Sequence, residues 1–468
     1  CPLLVPVLLQ VLSVFSFCLI FFFLWYCDHR DLHRVCRRQR QWCIRDRLFL
    51  VLRWALMNLT IMNKACFYLG VVGLTLTCNA FAQVKGLVQL SAVQGDQYVS
   101  WQQGGVGLYR YDSDNDGIVL SQGVVDFRTD LTTAWSAHGV INAYQDPQPT
   151  LGFSQAYLQY KPLTASNYKW HLRVGGFYPL LSLENPDMGW LSPYNYTNSA
   201  INSWIGEEVR TVGVEATIKR PGRSFNSTHS FALVGATFKG NDPAGTLLAW
   251  RGFAMHDRQT TFNESIAFAP IASFNTTALQ YQANQVLPFE EVDGRFGYYA
   301  GIHWDYLKKS QFRFYYYDNN GDPAALNRST GQYAWDTRFS SVAWLYKFTA
   351  NTRLIGQMMS GTTAMGAKRG VNNSFYSHFV LVSHKMAKHR ISMRYDYFEV
   401  TDHDDWQFDP NASEGEGITA TWRYQLTPQW QLGIEGSALH SQADNRMAMN
   451  NPKNLSQQQI SLNVQWRF

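Results

Sequence analysis

The sequence predicts an all-β protein: one transmembrane antiparallel β-barrel of about sixteen strands, with short turns at one end and long loops at the other. Three observations carry that prediction. Aromatic residues make up 15% of the 468 residues and charged residues only 16%, yet mean hydropathy is −0.24. Such an aromatic load excludes a disordered chain, and negative hydropathy excludes a bundle of membrane-spanning helices. The last ten residues alternate apolar and polar side chains without a break. The connections between such alternating segments are, by turns, short and long.

A length of 468 residues would ordinarily suggest about three domains, but the chain divides differently. All seven cysteines (Cys1, Cys18, Cys27, Cys36, Cys43, Cys66, Cys78) precede Gln83. Residues 1–82 also hold nine of the 40 basic and three of the 35 acidic residues, which leaves 31 and 32, a net charge of −1, for the remainder. The overall +5 therefore belongs to the leader, and no nucleic-acid partner is expected from it.

Within the leader, Met62-Asn63-Lys64 is a basic n-region, Phe67–Leu76 an apolar h-region, and Ala80-Phe81-Ala82 an A-x-A cleavage site. Residues 57–82 thus read as a signal peptide, starting at Met62 or Met57 and cleaved after Ala82, with 83–468 as the mature barrel. Pro2–Tyr26 is long and apolar enough to span a bilayer. A spanning helix upstream of a complete signal peptide makes no topological sense, so residues 1–56 are expected to be untranslated or artefactual. The alternative is an inner-membrane anchor.

In Gln459–Phe468 every even position is apolar and every odd one polar. This period of two, with one hydrated and one lipid-like face, marks a transmembrane strand. It recurs in Gly417–Gln425, Trp430–Glu435, Ile391–Tyr397, Arg295–Tyr306 and Val212–Ile218. Short connections (162–168, 220–228, 307–310, 349–351, 386–388, 426–429) alternate with long ones (179–206, 240–294, 318–335, 361–373, 401–413, 440–456). Tracing back from Phe468 predicts strands at 100–110, 118–128, 133–144, 152–161, 169–178, 207–219, 229–239, 295–306, 311–318, 336–347, 352–361, 374–385, 389–400, 414–425, 430–440 and 458–468. Val84–Ser91 also alternates but would enter from the wrong side. A hairpin hidden near Leu247–His256 would make eighteen strands. Ser374–Lys385 is ambiguous, because both of its faces carry apolar residues.

The terminal strand, with Trp466 and Phe468 as its outward aromatics, resembles the C-terminal signature of Gram-negative outer-membrane barrels, which the barrel assembly machinery reads. Phe153–Lys161 followed by Leu172–Asn185 resembles tandem strands of porins of the phosphate-selective kind. The resemblance implies an outer-membrane porin embedded in lipid and lipopolysaccharide, passing small hydrophilic solutes, with a homotrimer as the analogous assembly and no cofactor. It also implies that the loop 179–206 folds into the lumen, making Glu184, Asp187, Trp190, Tyr194, Tyr196 and Trp204 constriction candidates. That loop contains no Lys or Arg, whereas phosphate selectivity needs cations to replace the hydration of the anion.

On the inferred inner wall stand Arg173, Arg210, Arg295, Arg313, Arg338, Arg394, Arg423 and Arg467, against Glu215, Asp305, Asp396 and Glu435. Two readings stay open: lumen charges paired across strands with no selectivity role, or a basic wall opposite an acidic loop that gives modest anion preference. Asp112, Asp114 and Asp116 begin like a calcium loop, but the twelfth position is Gly123 rather than Glu, and a hairpin turn is the preferred reading. The histidines show no zinc spacing, so no metal is expected. Carboxylates at Glu207, Glu208, Asp402, Asp404 and Asp405 lack any accompanying G-x-S-x-G nucleophile motif. An enzyme is accordingly not expected; a hydrolase barrel or an adhesin or receptor barrel is the alternative.

Overall fold

The computed structural model describes residues 82–145 and 149–468; residues 1–56 and, apart from Ala82, the expected signal peptide 57–82 lie outside the described residues. Sixteen antiparallel strands close into a single barrel. They are β1 (Ala82–Gln94), β2 (Gly117–Asp130), β3 (Trp135–Tyr144), β4 (Thr150–Tyr160), β5 (Lys169–Phe177), β6 (Thr211–Arg220), β7 (His229–Lys239), β8 (Gly297–Tyr306), β9 (Ser310–Asp318), β10 (Asp336–Lys347), β11 (Thr352–Met365), β12 (Val371–Met386), β13 (His389–Asp402), β14 (Ser413–Gln425), β15 (Trp430–Ala443) and β16 (Asn454–Arg467). Each strand pairs with its neighbours in sequence, and β1 closes on β16 through the register Leu87↔Arg467 to Gln94↔Ile460. Closure gives every strand a neighbour on both sides, so the backbone of the spanning wall is satisfied within the sheet where the ladders run.

The count of sixteen agrees with expectation, but the first strand is elsewhere. Residues 82–94 form β1, and 100–110 form no strand. Trp101, Leu108 and Tyr109 are instead buried against an inserted loop, where the Met255 N–H donates to the Leu108 carbonyl. The region around 247–256 is not a hairpin either; it holds a short helix, Thr246–Trp250 (α2 below), and the alternative of eighteen strands falls.

The outer wall carries the apolar half of the alternation. Ile302, Val380, Met393, Ile418 and Leu462 are all exposed there. Aromatic rings pack side by side at the short-turn rim: Trp135 on Tyr160, Trp304 on Tyr306, Trp344 on Tyr346, Trp422 on Tyr424 and Trp466 on Phe468. Tyr298, Tyr316, Tyr376, Tyr395 and Tyr397 ring the outward face nearer the long loops. An apolar band between two aromatic belts is the pattern of a transmembrane barrel. The chain end completes the wall: Phe468 and Gly86 exchange backbone hydrogen bonds of 2.9 and 3.1 Å. The Phe468 ring lies where a Cβ on residue 86 would meet it at 2.0 Å, so any larger residue there must displace the ring.

Candidate functional site in the barrel interior

The connection between β5 and β6, residues 178–210, turns into the barrel. Asp187 caps a short 3-10 turn at Met188–Trp190, and Ser199 caps the helix α1 (Ala200–Glu208) through its hydroxyl to the Asn202 N–H. Side-chain oxygens at these positions satisfy N–H groups that a buried helix start would otherwise orphan. Every residue of α1 is buried. Sixteen strands leave room for such a loop to enter, and its carbonyls and carboxylates must then find partners on the wall.

Those partners are specific. Glu184 accepts from the Ser199 N–H and hydroxyl and the Asn202 amide, and lies 2.8 Å from Arg394 Nη1. Arg394 also pairs with Asp396 (2.6 Å) and donates to the loop carbonyls of Thr197 and Asn198. Asp396 takes the Ala200 N–H, and Glu435 takes those of Tyr196 and Thr197 at 2.6 and 2.8 Å. Arg423 donates to the carbonyls of Ser192 and Asn195 and lies 3.9 Å from the Tyr196 ring centroid. Tyr196 itself packs on Gly433, where a Cβ would stand 2.1 Å from its hydroxyl. Asp187 pairs with Arg467 at 2.7 Å, Trp190 stacks on Tyr178, and Trp204 sits among Phe253, Phe339 and Phe375. Tyr194 faces Arg353 and Arg390. The six loop residues singled out in the sequence therefore all lie inside the barrel.

Of the wall residues, Arg173 forms a two-pronged pair with Glu215, both contacts 2.8 Å, and Tyr299 donates to the same carboxylate. Arg313 pairs with Asp305 at 2.8 Å. Arg210, at the head of β6, donates to the Tyr178 hydroxyl and the Thr260 carbonyl. Two expected wall residues are not in the lumen. Arg338 lies on the outward register of β10, beside Tyr316 and paired with Asp336, because its neighbours Thr337 and Phe339 point inward. Arg295 precedes β8 and pairs with Asp322 in the long loops at the rim. Asp112 accepts from the N–H groups of Ser100, Asp114 and Asn115 and from the Gln103 amide; it knots a loop, while Asp114 is exposed beside it.

Sequence reasoning missed a second insertion. In the loop 240–296, residues 241–250 and 252–261 are buried in the interior, and α2 (Thr246–Trp250) packs near α1. Glu207 joins the two loops: both Arg251 Nη atoms lie 2.6 Å from its oxygens, and His256 Nε2 lies 3.0 Å away. Burial alone would raise the Glu207 carboxyl, but the charges of Arg251 and His256 outweigh it and hold it at about 2. Glu208 accepts from the Gly245 and Leu247 N–H groups and from Trp204 Nε1. Among the described residues it has no cation partner, and burial pushes it up to about 7 against those hydrogen bonds. The long-loop half of the interior is thus packed: Phe339, Phe375, Phe379 and Phe398 of the wall meet the two inserted loops in one apolar cluster. The short-turn half is polar. Its inward positions include Lys347, Arg353, Ser383, Lys385, Arg390, Gln431 and Gln465, of which the four cations were not singled out in the sequence.

No protein-family model matches this chain, and no curated protein sequence matches it. Among solved structures, it is similar to the outer membrane channel DcaP of Acinetobacter baumannii, at 12% identity over 83% of this chain and 98% of that one, with a TM-score of 0.49. An anion-selective porin from Comamonas acidovorans matches at 11% identity over 83% and 99% (TM-score 0.47), and Salmonella typhi OmpF in complex with daunomycin at 10% over 83% and 97% (TM-score 0.45). At such identities a cargo does not transfer from one protein to another, and this chain's own residues must carry its function. By its own geometry, the chain is a closed sixteen-stranded antiparallel membrane barrel with loops folded into its interior.

Proposed function

We propose that residues 83–468 are an outer-membrane porin, a water-filled channel for passive diffusion of small hydrophilic solutes or ions with modest anion preference. One observation carries the reading: the barrel is inverted in polarity, with apolar side chains outward and, in the short-turn half, Lys, Arg, Ser, Asn and Gln inward. A wall of that kind is stable in lipid only when its interior holds water. The loop 178–210, braced across the lumen on β13, β14 and β15, would narrow the path and set a size limit. Short turns would face the periplasm and long loops the exterior, after export by the cleaved leader and insertion by the barrel assembly machinery. Lipopolysaccharide would contact the outward tyrosines near the long loops, and a homotrimer is the assembly we favour. Anion preference follows from the wall cations that no loop carboxylate neutralises.

Proteoliposome swelling in uncharged sugars of increasing size tests the channel. The expected result is swelling that falls steeply with solute size. An absence of swelling with the smallest sugar, from liposomes carrying folded barrel, would overturn the reading.

A further inference from the structure

At the seam between β4 and β5 the ladder stops short. β4 runs from Thr150 to Tyr160, but its pairing with β5 covers only Tyr160↔Leu172 to Ala156↔Gly176. One residue later, after Phe177, the chain leaves β5 for the lumen. Among the described residues, 150–155 therefore have β3 on one side and no strand of the ladder on the other. Gly175, at φ 132°, stands where β5 parts from β4; a Cβ there would strike the Ala156 carbonyl at 2.3 Å. The split opens four residues above Tyr160 of the short-turn belt, about 14 Å along the strand. It therefore faces the long-loop half of the apolar band. Leu151 and Phe153 are exposed on its β4 lip and Val174 on its β5 lip. Backbone groups at that depth must find partners inside the protein, because lipid offers none.

A segment of the loop 240–296 covers the gap. The Phe262 N–H donates to the Phe153 carbonyl at 3.0 Å. The side chains on either side of that bond follow the rule of the wall. Gly152 lies opposite the buried, inward Asn142, and a Cβ on it would stand 2.7 Å from Thr261 Cβ and 2.9 Å from Asn263 Oδ1. Gly176 lies opposite the outward, exposed Val212, and a Cβ on it would meet the Phe262 ring at 2.3 Å. Residues 261–263 thus stand in for the missing strand, polar inward and aromatic outward. They are held more loosely than a strand. Among the described residues, that bond is their one backbone hydrogen bond to β4, with Arg258 Nη2 to Thr150 Oγ1 (3.1 Å) beside it. Glu264 binds Arg258 and the Thr261 N–H, which ties the segment to itself rather than to the wall. Next to it is a cavity of about 570 Å³, lined by Thr150 and Leu151 of the lip and by Thr261, Asn263, Ser265 and Ile266. Behind the gap the wall is polar and neutral: Ser154 donates to Asn142 at 2.9 Å, and Asn142 to the Tyr144 hydroxyl at 2.8 Å.

We infer that residues 261–263 are a movable piece of wall that opens a lateral portal between the lumen and the surrounding lipid. The molecules it suits are small amphiphiles with one apolar chain on an uncharged polar head. The chain meets Leu151, Phe153 and Phe262 on the lipid side, and the head meets the hydrogen-bonding groups of Asn142, Tyr144 and Ser154 inside. The adjoining cavity gives the segment room to withdraw. This route runs through the wall rather than along the barrel axis, so it goes beyond diffusion through the channel.

The test locks the segment and asks what enters from lipid. Residues 83–468 contain no cysteine, so an introduced pair has no competing thiol. In G152C/T261C the two Cβ atoms start 2.7 Å apart, about 1 Å inside the usual disulfide spacing, a difference a movable segment takes up. Folded barrel in liposomes, verified by heat-modifiable migration, is irradiated with a dodecyl glycoside carrying a diazirine, and adducts are mapped by mass spectrometry. Parent and reduced pair should carry adducts on outward Leu151 and Phe153 and on interior Tyr144 and Gln259. Oxidation should lower the interior adducts about tenfold or more, because a closed disulfide suppresses opening. It should leave the outward adducts and the swelling in small sugars unchanged. F262A, which uncovers the outward face of Gly176, should raise the interior adducts, and it tests the portal without any disulfide. Equal interior labelling in oxidised and reduced barrel overturns the portal, as does interior labelling absent from both parent and F262A; the segment is then a fixed seal. Labelling of Arg353 and Arg390, across the lumen, as strong as that of Tyr144 also overturns it, since the probe then entered by the mouth.

Discussion

Removing Arg394 should release the inserted loop. The guanidinium, fully buried, serves Glu184 at 2.8 Å, Asp396 at 2.6 Å and the carbonyls of Thr197 and Asn198 at 2.7 and 2.8 Å. In R394M two buried carboxylates lose their cation and two loop carbonyls lose a donor. Breaking a buried pair by deleting one partner costs about 3–5 kcal/mol. The strand ladders of β12–β14 do not depend on this side chain, so the cost falls on the docked state of residues 178–210. A loss of about 4 kcal/mol shifts docked against undocked loop by about three powers of ten. Single-channel recording should then show larger and noisier openings than the parent. The triple variant R394M/E184Q/D396N, which also removes the stranded charges, should recover part of the quiet state. Parent-like conductance and noise in R394M would refute the bracing argument.

Three further outcomes follow from the same geometry. Glu208 is raised from an ordinary 4.5 to about 7, so the fold favours its neutral form. Its contribution is complete below about pH 4.5 and lost as pH rises through 7, about 3 kcal/mol in all; the thermal midpoint in detergent should fall over that window, and E208Q should flatten the fall. R295Q and R338Q should leave the reversal potential in a KCl gradient unchanged, because neither side chain lines the lumen, whereas R353Q/R390Q should move it toward cations. G86V, whose added carbons would strike the Phe468 ring, and deletion of Phe468 should each lower the yield of heat-modifiable barrel; a parent-like yield would mean that the closing contact does not limit assembly.

The outer wall was legible because lipid contact imposes one rule on every strand: apolar outward, at period two. The inner face was less so, because inserted loops impose the opposite rule wherever they touch it. Ser374–Lys385 looked ambiguous because Phe375, Phe379 and Leu381 point inward onto the packed interior. Arg338 was expected inside for the same reason: Phe339, its apolar neighbour, is the inward residue, packed on Trp204. Val84–Ser91 was set aside on parity because tracing back from Phe468 had made 100–110 the upward strand. The constriction loop was read from resemblance and lies in the interior, but its brace to Arg394 and Glu435 joins residues distant in sequence, as does the loop 240–296. The inward cations of the short-turn half are invisible for a related reason. Lys385 and Arg390 flank one hairpin, while Arg423 meets Arg390 only through the register of β13 on β14.

The central claim is that this barrel conducts water and ions despite its inserted loops. Planar-bilayer recording of refolded 83–468 in a KCl gradient tests it most directly. The account predicts discrete ohmic steps with a reversal potential of anion-selective sign. A folded, membrane-inserted barrel that shows no steps above lipid leak would contradict it.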